Sequence, residues 1–294
     1  MDLIVAVLEI CAPVFLLTTL GIFWAKSGNE YNIELITKLV MNLAIPCLIF
    51  IALMQTKINS ETLTKIFFAT SCVLIMITLT MFCAVKILQL NLRTFFAPLI
   101  FANSANLGIP ICLFAFDITG FEYAVFIFSI MAVYSMTFGV WVMSGGGSPL
   151  KLIKEPLVVS VILGMLFLFN GWKTPDFMTD SIKLVGQMAI PLMLLTLGFT
   201  VGKLKSSGFL QLIFPSILKF LLCLMCALTT VFLFDLERIP AAALIIQVTM
   251  PVAVSSYMLA EKYGSNPDKV AALVIVSTML AIVYIPFTLA FLLS

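Results

Sequence analysis

Histidine is missing from this chain of 294 residues. Its absence excludes Ser-His-Asp and Cys-His catalytic arrangements, histidine metal sites and imidazole proton relays together. No long apolar run carries an aspartate at its centre, which argues against intramembrane aspartyl proteolysis. The seven cysteines all lie in apolar runs, where cysteine behaves as a small hydrophobic residue. We therefore expect neither an enzyme, nor a cofactor, nor a bound metal ion.

The chain also has few charged residues. Charged residues make up 10% of the chain, whereas soluble domains usually carry about 25%. Hydrophobic residues make up 62%, and the mean hydropathy is +1.19. Most of the outer surface must then face an apolar medium, so the lipid bilayer is an expected partner. The net charge of +2 is small and the basic residues are dispersed, which argues against a nucleic-acid partner.

The apolar runs are long enough to cross a bilayer as helices, since about 20 apolar residues suffice for one crossing. They predict ten transmembrane spans in one membrane domain. The predicted spans are 3–24, 34–54, 66–88, 94–116, 122–143, 153–170, 179–202, 209–234, 239–260 and 269–292. A Gly/Ser-rich connector, 144–152, separates a first five-span unit, 1–143, from a second, 153–294.

The two units share proline markers in the same order. Three pairs match at a nearly constant offset: Pro13 with Pro156, Pro46 with Pro191, and Pro110 with Pro251. The second and third pairs each have an amide side chain four residues before the proline. Because five spans is an odd number, the second unit must enter the membrane from the opposite side. Inverted repeats of this kind characterise many secondary transporters.

The distribution of basic residues orients the chain, because cytoplasmic connectors carry an excess of lysine and arginine. Connectors on the side of the termini contain five such residues, and those on the other side contain ten. We therefore predict a multi-pass plasma-membrane protein with both termini extracytoplasmic.

Spans four and nine are interrupted near their centres by residues that weaken a helix. These residues are Asn103, Asn106, Gly108 and Pro110 in span four, and Gln247, Pro251 and Ser255 in span nine. A proline removes a helical hydrogen bond and clashes with the carbonyl four residues earlier. Each span is therefore predicted to unwind, with Pro110 and Pro251 in the first turns of new half-helices. Ordinary proline kinks are the alternative.

Unwinding would bring helix ends together at mid-membrane. Half-helix N-termini carry bare N–H groups and partial positive charge, which attract a carboxylate, whereas the opposing carbonyl ends can hold a cation. The amides of Asn106 and Gln247 can donate and accept without burying a charge. We predict that the residues named at the two breaks form the substrate site.

Sequence motifs around these breaks resemble the auxin efflux carrier family, whose members include plant auxin carriers and bacterial malate-permease-like proteins. The resemblance covers nearly the whole chain, and its motifs are Asn106-Leu-Gly-Ile-Pro110, Leu195-Thr-Leu-Gly198 and the stretch from Gln247 to Val276. It implies an all-α transmembrane fold of ten helices as two inverted five-helix repeats, similar to sodium/proton antiporters and bile-acid transporters. Broken helices four and nine would cross at the substrate site, against a scaffold of spans one, two, six and seven.

The resemblance also bears on the substrate. Plant auxin carriers often have a long hydrophilic central loop, whereas the connector here has about a dozen residues. This difference favours a prokaryotic carrier of organic anions in a bacterial inner membrane.

Four further polar residues are candidates for a cavity or for coupling. Lys219 lies within span eight, where a lysine is either functional or extends to the cytoplasmic surface. Glu9 lies in span one and is either a coupling carboxylate or a surface group. Asn42 and Gln187, which the repeat pairs, either line a cavity or bridge scaffold helices.

Taken together, these features predict a secondary transporter of a small organic anion, a mono- or dicarboxylate or an auxin-like acid, by alternating access with proton coupling. A sodium-coupled carrier of neutral or amphipathic solutes is one alternative, and a non-transporting membrane receptor on the carrier fold is another. A channel is disfavoured because no charge ring or filter sequence is present. A second copy of the chain, forming a homodimer, is a further candidate partner.

Overall fold

The computed structural model describes residues 3–144, 155–203 and 209–293, and in these ranges the protein is helical. The helices are α1 Leu3–Lys26, α2 Ile33–Leu39, α3 Ile45–Gln55, α4 Ser60–Ile87, α5 Leu92–Ile100, α6 Ile109–Tyr134, α7 Val140–Ser144, α8 Pro156–Asn170, α9 Asp176–Gln187, α10 Ala189–Lys203, α11 Phe209–Leu233, α12 Arg238–Thr249, α13 Val254–Tyr263 and α14 Pro267–Leu293. Three π-helical turns lie at Val40–Ala44, Ser104–Gly108 and Ser135–Gly139. The predicted connector 144–152, apart from Ser144, lies outside the described residues.

Among the described residues, seven helical stretches are long and apolar enough to cross a membrane. They are Val7–Lys26, Ile33–Gln55, Ser60–Ile87, Ser104–Ser144, Asp176–Lys203, Phe209–Leu233 and Pro267–Leu293. The prediction of an all-helical, multi-pass membrane protein is therefore confirmed, whereas the count of ten spans stays a prediction. The stretch Ser104–Ser144 is counted as one helix, although the backbone of Phe116 and Asp117 inside it is not helical. Phe116 is the last residue of predicted span four, and Asp117 begins the predicted connector to span five.

Asparagine side chains begin three of the helices. The side-chain oxygens of Asn32, Asn59 and Asn91 accept hydrogen bonds from backbone N–H groups at the starts of α2, α4 and α5. Each cap satisfies a donor that has no partner within its helix. These caps explain why the chain re-enters the helical state directly after a short polar connector.

One group of helices packs through close backbone contacts. Helix α1 packs against α10, and α3 packs against α8 and α9. Gly21 and Gly198 lie at the crossing of α1 and α10, where a Cβ on Gly198 would overlap the carbonyl oxygen of Thr18. Small residues allow such an approach in membranes, where van der Waals packing drives helix association. We call α1, α2, α3, α8, α9 and α10 the scaffold group.

The remaining long helices surround the two interrupted segments. Helix α12 packs against α6, and α11 packs against α4, α12 and α14. We call α4, α5, α6, α11, α12, α13 and α14 the crossing group. A cavity lined by residues of both groups is described below.

Candidate functional site

Two non-helical segments, 101–103 and 251–253, cross at the centre of the crossing group. Ala102 and Val252 form an antiparallel β-bridge. The N–H of Asn103 donates to the carbonyl of Pro251 over 2.7 Å, and the N–H of Ala253 donates to the carbonyl of Phe101 over 3.2 Å. The backbone groups freed by interrupting one helix are thus partly satisfied by the other break, as a low-dielectric environment requires.

The first interruption lies earlier than the proline motif suggests. Helix α5 ends at Ile100, and helical backbone resumes at Ser104 with the π turn, so Asn106 is helical and Pro110 is the second residue of α6. The proline still has a local effect, because it cannot donate to the carbonyl of Asn106. A π turn precedes this proline, and local π adjustments can satisfy backbone groups that a proline frees in a membrane helix.

In the second interruption, Pro251 lies in the non-helical segment, three residues before α13 begins at Val254. The prediction that Pro251 occupies the first turn of a half-helix is therefore wrong. The physical reason is that the pairing with segment 101–103 needs non-helical backbone at Pro251, whose carbonyl accepts from Asn103.

Side chains of neighbouring segments form hydrogen bonds with other backbone groups at and around the second break. The hydroxyl of Ser277 on α14 accepts from the N–H of Val252 over 3.1 Å. The ammonium of Lys219 on α11 donates to the carbonyl of Met250 over 2.8 Å. The hydroxyl of Ser104 donates to the carbonyl of Gln247 over 2.9 Å. The break is therefore a built conformation rather than a simple kink.

A cavity of about 120 Å³ lies beside the crossing. Among the described residues, its polar lining consists of Thr37, Asn103, Ser104, Asn106, Ser135, Thr196 and Ser255, and its large apolar lining includes Met41, Phe101, Phe128, Met131, Met136, Leu157, Met193 and Met258. None of the described lining residues is charged. The scaffold group and the crossing group both contribute to this wall.

Two helix N-termini face the cavity. The helical segment that begins at Ser104 and α13, which begins at Val254, both have first-turn residues in the cavity wall. Their first N–H groups have no acceptor within the helix. Neither helix has a side-chain cap at its start, since Asn103 and Ala253 make no capping hydrogen bond. The cavity is thus lined by the positive ends of two helix dipoles.

Asn103 has an unpaired amide at this place. Its side chain is 4% exposed, and its Nδ2 atom has no hydrogen-bond partner. Most buried polar groups in proteins are hydrogen-bonded, so this donor is one of the exceptions among the described residues.

The structure separates the other predicted site residues into two sets. Asn106 and Ser255 line the cavity together with Asn103, whereas Gly108, Pro110, Gln247 and Pro251 are absent from its described wall. Gln247 is fully buried, and its side-chain oxygen would lie 2.9 Å from a Cβ on Gly108. Its amide atoms lack an oxygen or nitrogen partner, and the thiol of Cys112 lies beside them. Gly108 and Gln247 thus fit together where the two broken spans touch.

The four coupling candidates lie in different environments. Glu9 and Asn42 are exposed on the surface of the described protein. Gln187 lines a second cavity, of about 540 Å³, with Gln55, Glu122 and Lys183. Lys219 is buried at 2% exposure and does not extend to the membrane surface.

Several residues of this region were not singled out from the sequence as site residues. Ser104 and Ser277 bind the breaks, and methionines supply much of the apolar wall. In the sequence, Ser104 lies next to Asn103 and close to Asn106, and this closeness could have indicated that it belongs to the site. No sequence feature indicated Ser277, which lies on a different helix.

Comparisons with known protein sequences identify the family of this chain. The sequence profile of the family described as membrane transport protein matches residues 6–149 and 140–289. An uncharacterized transporter of Methanocaldococcus jannaschii is 22% identical over 296 aligned positions, which cover 95% of this chain and 96% of the relative. The family match spans nearly the whole chain and includes both breaks. The chain therefore belongs to the membrane transport protein family, the family of the auxin efflux carriers.

Proposed function

We propose that this protein is a secondary transporter of small organic anions, and that the cavity beside the crossing binds the carboxylate. The observation that carries the proposal is the orphaned amide of Asn103, which lies next to two uncapped helix N-termini. A carboxylate placed there would accept from the amide and from first-turn N–H groups. Helix N-termini bind anions in this way without any charged side chain.

The rest of the wall favours a monocarboxylate with an apolar body. Methionine and phenylalanine side chains make up much of the apolar lining, and the described wall offers no lysine or arginine for a second carboxylate. The cavity volume of about 120 Å³ is below the roughly 300–1,000 Å³ of sites for drug-sized ligands, which favours a small solute.

Packing between the helices supports an inverted repeat and alternating access. In the ten-span scheme, α1 and α8 begin the two units, and each packs against the second span of the other unit. Helix α1 contacts α10, and α8 contacts α3. The two cavities also lie at opposite ends of span two, with Thr37 at the first and Gln55 at the second. Movement of the crossing group against the scaffold group would open them alternately.

The test is anion uptake by purified protein in proteoliposomes. Labelled mono- and dicarboxylates are supplied with an imposed proton gradient, and empty liposomes serve as the control. We expect saturable uptake of at least one small monocarboxylate that collapses when the gradient is dissipated. Uptake of neutral solutes alone would contradict the proposal, and the absence of flux across the panel would favour a receptor.

We also propose that both termini are extracytoplasmic, in a bacterial inner membrane. Single cysteines are placed in a variant that lacks the seven native ones. Ser27→Cys, between α1 and α2, is expected to be protected from an impermeant maleimide in intact cells. Lys57→Cys, between α3 and α4, is expected to be labelled. The reverse pattern would invert the orientation.

A further inference from the structure

Lys219 is the one charged side chain that is buried among the described residues. It lies on α11, inside a stretch that is apolar enough to cross the membrane. Its ammonium donates to the carbonyl oxygen of Met250 over 2.8 Å. The thiol of Cys223 lies one turn further along the same helix. Within the described residues, the lysine therefore has a carbonyl partner and forms no salt bridge with a carboxylate.

The carbonyl partner belongs to the end of a helix. Met250 directly follows the last residue of α12, where backbone carbonyls have no donor within the helix and the dipole is negative. Carbonyl ends of broken membrane helices are the groups that coordinate sodium ions or protons in many transporters. Lys219 thus donates to a backbone carbonyl of the kind that would otherwise coordinate a coupling cation.

A purely structural role explains this arrangement poorly. A methionine of similar length would fill the space on α11 without the cost of removing a charge from water. A lysine that only needed to place its charge near water would extend to the membrane surface. The residue is instead a lysine that is buried, and its ammonium donates to a carbonyl at the break.

We propose that the ammonium of Lys219 is a resident cation of the crossing site. It neutralises the carbonyl end of α12 in place of a metal ion, so transport by this protein needs no sodium. The inference deepens the proposed transport function and makes Lys219 a positioning residue of its site, since the same break pairs through Pro251 with Asn103 at the cavity.

The first test uses the wild-type protein. Uptake of the monocarboxylate is measured at fixed internal and external pH, with sodium replaced on both sides by N-methyl-D-glucamine. We expect a change of less than twofold. A requirement for sodium would overturn the inference and leave anion transport itself intact.

The second test removes the ammonium. Lys219→Ala is expected to lower uptake at least tenfold, and millimolar sodium or methylammonium is expected to restore a large part of it. Lys65→Ala is the matched control, because Lys65 also donates to a backbone carbonyl, that of Asp235 over 2.6 Å, but at an exposed position. Lys65→Ala should retain wild-type uptake with no response to added cations. Uptake by Lys219→Ala that is unchanged, or lost and restored by no small cation, would overturn the inference.

Thermal unfolding of the purified proteins tests the same idea without any substrate. Sodium or methylammonium should raise the unfolding temperature of Lys219→Ala relative to N-methyl-D-glucamine, and should leave the wild-type protein unchanged. This measurement separates the two proposals, since it can succeed when no anion is transported. If Lys219→Ala does not fold, Lys219→Gln replaces it. An equal response of variant and wild type would contradict a resident cation.

Discussion

The backbone N–H of Asn103 donates to the carbonyl of Pro251 across the two halves of the chain, over 2.7 Å. The side chain of the same asparagine leaves its amide nitrogen without a partner at the cavity. One residue therefore has two separate tasks. Its backbone joins the broken spans, and its side chain belongs to the cavity wall.

Replacing Asn103 should weaken anion binding without destabilising the fold. Asn103→Ala removes a donor that makes no protein hydrogen bond, and the backbone pairing with Pro251 survives. A hydrogen bond to a charged group contributes about 1.5–3 kcal/mol, so we expect the anion Kd to rise roughly 10- to 100-fold. A thermal-shift titration with the anion measures both the Kd and the unfolding temperature of the ligand-free protein. Asn170→Ala is the control, because that amide donates to Leu166 at an exposed helix end. An unchanged Kd for Asn103→Ala would remove it from the site.

Gly108 and Gln247 should show energetic coupling. A Cβ on Gly108 would lie 2.9 Å from the Oε1 atom of Gln247, which is fully buried. Gly108→Ala should therefore destabilise the protein by about 1–3 kcal/mol through overpacking. Shortening the partner by Gln247→Ala should relieve the clash, so the double variant should be more stable than the sum of the single effects predicts. Unfolding of all four proteins in the cycle checks this, and strict additivity would contradict the contact.

Ser277 should stabilise the second break. Its hydroxyl accepts from the buried N–H of Val252, so Ser277→Ala leaves that donor unpaired at a cost of about 1–3 kcal/mol. Ser129 is equally buried, but its hydroxyl donates only to Val125 of its own helix. Ser129→Ala should therefore cost little. Unfolding temperatures of the two variants in the same detergent provide the comparison. Equal losses would show that the bond to Val252 contributes nothing specific.

Gly198 should be among the least replaceable glycines of the scaffold group. A Cβ there would overlap the carbonyl oxygen of Thr18, and a backbone atom cannot move aside without separating α1 from α10. Gly198→Ala should cost about 2–3 kcal/mol or prevent folding. Gly202→Ala is the milder comparison on the same helix, because its nearest neighbour is the Cβ of Ala25 at 3.0 Å. Expression level and thermal stability report the difference, and equal stability of the two variants would contradict the close crossing.

Sequence patterns predicted an all-helical, multi-pass membrane protein, because apolar runs are a local property. They also directed attention to the correct interrupted spans. They placed the first break too near Pro110, since a proline marks where a helical bond is lost rather than where the backbone becomes extended. The non-helical residues Phe101 to Asn103 include no proline. Their conformation depends on pairing with a segment about 150 residues further along the chain.

The amino-acid sequence by itself determined that this protein is a membrane protein and that it has no histidine side chains for chemistry. It also determined that two of its helices are interrupted near polar residues. Tertiary structure decided which of those polar residues meet a cavity. Asn103, Asn106 and Ser255 face it, whereas Gln247 is enclosed against Gly108. It also buried Lys219 beside the carbonyl of Met250, so this side chain does not extend to the membrane surface. The reason is physical: burial and partnership of a polar group are set by the helices that pack around it, and helix packing joins residues that are far apart in the chain.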